Sequence, residues 1–307
     1  MTTLSPSEQG QTFSVPRLDV HDLVTHIIID QLEQGIVPWE RRWINEDILP
    51  FTIPFNGTTG NRYNGINIVL LWSSVIKNRY TTDEWASFKQ WHINGEIIRK
   101  GEKGSLVVYY DTFEKEVEGE IQKIPFLKTS YVFNRCQLVS YDETPPFIKK
   151  YTGLVPTFEK RLDVQQFVEN TGAIIKHHNG GASYNRANDE ISMPFPEQFV
   201  DTLQCTATEN YIATLFHELV HWSGAPKRLD RIKSEKFGDQ NYANEELVAE
   251  FGSAFLCAGF GLRTAEKAAH SAYIENWLNV LKEDNRCIFR VASAASKAAD
   301  YLNSLQP

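Results

Sequence analysis

Residues 217–221 read His217-Glu218-Leu219-Val220-His221, two imidazoles four positions apart with a carboxylate between them. On an α-helix, residues i and i+4 lie one above the other on one face, so both rings can be aimed at a single ion. Neutral imidazole is a zinc ligand, and a zinc held by three protein groups keeps a fourth position for water, whose pKa falls toward neutrality. Glu218, beside that position, is the kind of group that takes the water's proton and leaves a nucleophile at neutral pH. With eight histidines in 307 residues, H-E-x-x-H arises by chance on the order of once in a hundred such chains. A helix with two unrelated histidines is the competing reading, so the context has to decide.

A third ligand is required. The longer form H-E-x-x-H-x-x-G-x-x-H matches through Gly224 and stops at Lys227, which removes the three-histidine option. The other arrangement completes two histidines with a glutamate from a second helix. The stretch YANEELVAEFGSAFL (242–256) supplies Glu245, Glu246 and Glu250 on a helical pattern. Glu246 and Glu250 are spaced i, i+4 and share a face. We assign Glu246 as the ligand, with Glu245 and Glu250 as the alternatives, and Glu250 as the carboxylate accepting a ligand histidine's N–H. These acids interrupt an otherwise apolar helix (Leu247, Val248, Ala249, Phe251), where burying them without a cation is costly. One Zn²⁺ per chain is expected, and Mn²⁺, Co²⁺ or Ni²⁺ suits the same donors. An oxyanion donor is sought among Tyr184, His177, His178 and Tyr242, on sequence position alone.

Two composition regimes surround these residues. Five of the seven tryptophans fall within 17–142, where Asn-Gly and Lys-Gly turns separate short apolar stretches. Apolar spacing predicts a helix over 18–34, stopped by Gly35, and strands over 105–111 and 130–139, with 114–123 an exposed hairpin or loop. After 157 the pattern gives a helix, a strand (AIIKHH), a hairpin (ASYNRANDEISMP), and then helices over 207–222 and 243–260 with two more within 265–304. The fold class is therefore α+β in two domains: an aromatic-rich α+β domain over 17–145, and a mainly helical domain with a small sheet over 158–307. Proline-rich 146–157 is placed as the linker, and residues 1–16 as a disordered tail with no basic-apolar leader. No apolar run reaches the roughly 18–20 residues of a membrane span, so no membrane partner and a cytoplasmic location are expected. The four cysteines form no C-x-x-C pair and read as buried free thiols. Net charge is −8, yet 51–110 is net +3 while 151–307 is net −5, a weak hint of different partners for the two halves.

In its order of motifs the chain resembles the ArdC-type antirestriction proteins of conjugative plasmids, and the N-terminal domain of TraC-type primases. The residues that carry the resemblance are VPWERRW (37–43), PFNGTTGNRYNGINIVLLW (54–72), DEWASFKQWHINGEIIRKGEKGSLVVYY (83–110) and YVFNRCQ (131–137). In the second half they are HELVHWSG (217–224), KRLDR (227–231), EELVAEFGSAFL (245–256) and ASKAADYL (295–302). The resemblance implies a domain that binds single-stranded DNA, a zincin-like metallopeptidase domain, and protection of incoming plasmid DNA from restriction.

The residues of the first half are compatible with that role. Single strands are held by aromatic faces that stack bases and cations that track phosphates, at roughly 1–3 kcal/mol per stacked base. Trp39, Trp43, Tyr63 and Trp91 interleave with Arg41, Arg42, Arg62, Lys100 and Lys103, while Asn56, Asn64, Asn67 and Asn134 offer polar contacts. Tryptophans are more often core, and Lys-Gly-Glu-Lys-Gly is also an ordinary turn. Two other functions compete: a zinc metalloprotease acting on peptides with no connection to DNA, and a single-strand-binding module whose metal is structural.

Overall fold

The computed structural model describes residues 19–40, 50–117, 120–142, 160–202, 205–232, 240–264 and 270–307, and side chains for all of these except 113–125, 240–241 and 270–273. The expected tail 1–16, the linker 146–157, and Arg41, Arg42 and Trp43 lie outside the described residues.

Helix α1 (Val20–Glu33) starts at Asp19, whose side chain accepts from the His21 N–H, and ends before Gly35 at φ +71°, as its apolar spacing predicts. The first half then runs β1 (Phe55–Asn56), α2 (Ile66–Asn78), β2 (Glu84–Ala86), α3 (Phe88–Ile93), β3 (Ser105–Val117) and β4 (Glu120–Asn134). The sheet order is β1-β2-β4-β3, with β1 and β2 parallel and the other pairs antiparallel. Strands β3 and β4 form one long hairpin through the segment read as an exposed hairpin or loop. The strand expected over 130–139 stops at Asn134, whose side chain caps a 3₁₀ turn at Arg135–Gln137 and so turns the chain out of the sheet.

The second half comprises α4 (Leu162–Thr171), β5 (Ile174–His178), β6 (Ser183–Asn185), β7 (Glu190–Pro194), α5 (Ala207–Ser223), α6 (Gln240–Gly259), α7 (His270–Glu283) and α8 (Cys287–Ser304). Its small sheet has the order β5-β7-β6, which leaves β6 at an edge. Helices α5 and α6 approach closely at Gly252: a Cβ there would stand 2.6 Å from Val220 Cγ2. Only glycine lets the two helices sit this near, and that closeness lets side chains from both reach one point.

One buried cluster runs through both halves. Helix α2 is apolar on every side (Ile68, Val69, Leu71, Trp72, Val75 buried), as a helix covered all round must be; it packs on β3 and on α8. Phe51 stacks on Trp72 at 4.5 Å, and Trp72 meets Phe255 of α6 edge-on at 5.6 Å. Trp39 lies 4.4 Å from Phe251 and 5.3 Å from Trp277. Gly65, at φ +55°, turns its N–H onto Ser296 Oγ of α8 at 2.8 Å, a backbone conformation that side-chain-bearing residues rarely adopt. None of the helices among the described residues is long and apolar enough to cross a membrane.

Candidate metal centre

Helix α5 is fixed at its start by a reciprocal cap: Thr206 Oγ1 accepts from the Glu209 N–H, and Glu209 Oε2 from the Thr206 N–H. Two turns before its end, His217 points off the face that meets α6, and His221 follows one turn later. Their Nε2 atoms stand 3.1 Å apart. The Glu246 carboxylate crosses from α6 to lie 3.5 Å from each, so one donor atom from each residue falls within 4.8 Å of the others. Two imidazole nitrogens and a carboxylate aimed at one point are a donor set that fits a divalent cation.

The outer nitrogens are also placed. His221 Nδ1 lies 3.1 Å from Glu245 Oε1, and His217 Nδ1 lies 3.6 Å from Glu250 Oε1. Glu245 is in turn gripped by Arg231, whose Nε and Nη2 donate to its two oxygens at 2.8 Å. Arg231 Nη2 also donates to the Val220 carbonyl at 2.6 Å, tying the carboxylate to the helix that carries His221. The three glutamates of α6 thus divide: Glu246 faces both rings, while Glu245 and Glu250 each face one ring from behind. The pairing of Glu245 with Arg231 escaped the sequence reading, because both arginines of KRLDR turn inward and nothing local indicates which of them meets the carboxylate.

Burial pulls the His221 pKa down, but the bonds to Glu245 and Glu246 outweigh it and raise it to about 10. Burial raises Glu246 as well, and its two histidine partners reverse this and hold it far below the usual carboxylate range. A cation arriving at Nε2 must therefore displace a proton. The sign follows: lowering pH favours the proton, so metal affinity should fall about tenfold per pH unit below pKa 10 for that one proton. Calorimetry at pH 7.5 in buffers of differing ionisation enthalpy should register about one proton released per metal.

Glu218 is buried, has no hydrogen-bond partner among the described residues, and lines a cleft of about 670 Å³ with His217, His221 and Glu246. The cleft's other wall is residues 182–187, which include edge strand β6. Of the candidate oxyanion donors, Tyr184 and Tyr242 line the cleft. The Tyr184 hydroxyl donates to Asp189 at 2.8 Å and accepts from Arg228; burial, then that bond, pushes its pKa up to about 12. His177 instead meets the Tyr211 hydroxyl at 2.9 Å, and His178 is exposed at the end of β5.

The residues nominated for nucleic acid separate by burial. Trp39 and Trp91 are 1% and 2% exposed; the Trp91 indole donates to the Phe133 carbonyl. Asn134 is fully buried, donating to the Thr82 carbonyl and accepting from the Cys136 N–H. Asn67 closes the edge of β3 by bonding both the N–H and the carbonyl of Val108. Tyr63 is half-buried against the core. Arg62, Lys100 and Lys103 are exposed, the two lysines on a turn pinned where Gln137 Nε2 donates to the Lys103 carbonyl. Sequence reasoning missed the exposed rings of Phe88, Tyr109, Tyr110 and Tyr131; strand alternation at 105–111 was the available signal.

A model of the N-terminal domain of anti-restriction factor ArdC matches residues 18–133, and a zincin-like metallopeptidase model matches 162–294. The uncharacterized protein y4eC of Sinorhizobium fredii is 32% identical over 297 residues, covering 94% of this chain and 92% of that protein. DNA primase TraC of Escherichia coli is 32% identical over 303 residues, and the chain spans 27% of the primase's length. Among solved structures, the metal-free antirestriction ArdC protein from plasmid R388 is similar with TM-score 0.78 and 36% identity, over 94% of this chain and 98% of that one. The Mn(II)-bound structure of that protein gives TM-score 0.73 and 33% identity over the same shares.

Proposed function

This chain belongs to the ArdC family of antirestriction proteins, and from that premise we propose that it binds single-stranded DNA, carries a zinc-dependent metallopeptidase centre, and protects incoming plasmid DNA during conjugation. Its two domains are 17–145 and 158–307, a division supported by the separate family matches on either side. The observation that carries the catalytic part is the convergence of His217, His221 and Glu246 beside an uncommitted Glu218.

His217, His221 and Glu246 hold the cation, and Glu245 and Glu250 orient the two rings from behind. When bound, the cation acts as a Lewis acid and lowers the pKa of a neighbouring water. Glu218 takes the attacking water's proton on its carboxylate and returns it to the departing amine. Strand β6 offers backbone N–H and carbonyl groups on its unpaired edge, along which an extended peptide can lie as an added strand. In the first half, Arg62, Lys100 and Lys103 are the exposed cations offered to phosphates. Trp91, Asn67 and Asn134 act in that half as buried supports, while Trp39 packs against the second half.

Glu218→Gln tests the assignment. It keeps the shape of the side chain and cannot serve as a base. The variant is expected to retain one metal per chain and full single-strand affinity, and to lose casein hydrolysis by roughly 10²–10⁴-fold. Protection of transfer into a restricting recipient should fall with it. Undiminished protection by the variant would make the metal a structural element instead.

A further inference from the structure

A peptide carbonyl under attack by water gathers negative charge on its oxygen, and a donor already held in place for that charge contributes most. Few side chains of the cleft beside the donor set are free to do this. The Tyr184 hydroxyl gives its proton to Asp189, and the Thr214 hydroxyl gives its proton to the Asn210 carbonyl at 2.8 Å. Arg186 and Tyr242 are already engaged with other groups. Ser183 and Asn185 remain, and a serine hydroxyl rotates to suit its surroundings.

Asn185 does not rotate. It is the last residue of β6 and its side chain is exposed in the cleft wall. Its Oδ1 accepts from the backbone N–H of Ala187 at 3.0 Å and of Asn188 at 3.1 Å, the local turn that asparagine favours. Two N–H donors facing one terminal atom identify that atom as the oxygen. The other terminal atom is therefore the NH₂ group, and it has no acceptor among the described residues.

The turn is anchored as well. Arg228 donates to both Asp189 oxygens and to the Tyr184 hydroxyl. Its Nε donates to the Trp222 carbonyl of α5, and its guanidinium lies 3.8 Å over the Trp222 ring. Only 6% of the Arg228 side chain is exposed. The hairpin that presents Asn185 is thereby tied to the helix that carries His217, Glu218 and His221, which is the rigidity a preorganised donor requires.

We propose that Asn185 is a catalytic residue whose Nδ2 donates to the carbonyl oxygen of the peptide bond being cleaved. The bond is strongest once the water oxygen has joined the carbon and the C=O electron pair has moved onto the carbonyl oxygen. The proposal rests on the peptide hydrolysis put forward above, and it fills the role that the committed hydroxyl of Tyr184 leaves open.

The test uses the metal-loaded full chain. Asn185→Asp and Asn185→Ser each keep an oxygen for the turn and lose the amide donor, and the serine variant adds no charge. Asn188→Asp adds the charge outside the cleft lining. On a quenched fluorescent peptide taken from casein, kcat should fall roughly 10²–10³-fold in both Asn185 variants, with KM little changed. Asn188→Asp should match the wild-type chain. Calorimetric affinity for a phosphonamidate peptide, which copies the tetrahedral addition product, should fall by a comparable factor in both Asn185 variants. Metal content and melting temperature should stay at wild-type values. Wild-type kcat in Asn185→Ser would assign any loss in Asn185→Asp to its charge and overturn the proposal. A loss confined to KM would overturn it too, and peptide hydrolysis would stand in either case. If the wild-type chain cleaves neither casein nor the peptide, the hydrolytic reading falls and the role of Asn185 falls with it.

Discussion

His217→Ala is expected to leave the chain essentially without metal after dialysis, from about one ion per chain to below a tenth, by elemental analysis. The substitution removes one of three donors. Losing an outer partner of a metal ligand already costs about 10–100-fold in affinity, and losing a donor costs more. The remaining pair, His221 Nε2 and Glu246, stays 3.5 Å apart and can satisfy itself as an ion pair with no cation between. His177→Ala serves as the control: that ring bonds Tyr211 and lies outside the donor set, so metal content should be unchanged. Full occupancy in the His217 variant would place the metal elsewhere in the chain.

Arg231→Ala should produce the largest loss of stability of any single change at the site. Arg231 and Glu245 are each 13% exposed, and both Glu245 oxygens accept from that guanidinium. Burial raises the Glu245 pKa, and Arg231 followed by His221 brings it back below its ordinary value. Without the arginine a buried carboxylate keeps only the His221 ring, and breaking such a pair from one side costs about 3–5 kcal/mol. Urea unfolding of the metal-free variant should show that loss. Metal affinity should fall by about 10–100-fold as well, since His221 is left less firmly oriented. Unchanged stability would mean that Glu245 is neutral in the wild-type chain.

Much of the metal site was legible because its core is local. His217, Glu218 and His221 lie on one helical segment, and i, i+4 spacing alone sets their common direction. Spacing put Glu246 and Glu250 on one face and left the choice among Glu245, Glu246 and Glu250 open, with Glu246 preferred. What the sequence could not show is that Gly252 lets α5 and α6 come close enough for the Glu246 carboxylate to reach both rings. The role of Glu245 depends on an arginine 14 residues away, a tertiary pairing with no periodic signature. The aromatic residues were harder. A tryptophan that stacks on bases and one that fills a core have the same neighbours in sequence, and Trp39 and Trp91 turn out to be packed inside. The misplaced strand end at 134–139 has a simple cause. Asn134 suits a strand poorly and a cap well, and here it caps.

The aromatic seam of Phe51, Trp72 and Phe255, with Trp39 set against Phe251 and Trp277, gives the molecule a thermodynamic property that its two family matches conceal. Neither half can melt without stripping the cover from the other's largest apolar side chains, so the two halves are expected to unfold together. A ligand that binds only the native chain then stabilises it against that shared transition, by about 2.7 kcal/mol at a concentration one hundred times its dissociation constant. A cation bound between α5 and α6 would thereby protect the distant β3–β4 hairpin from denaturation, and single-stranded DNA bound to the first half, as proposed, would protect the histidines.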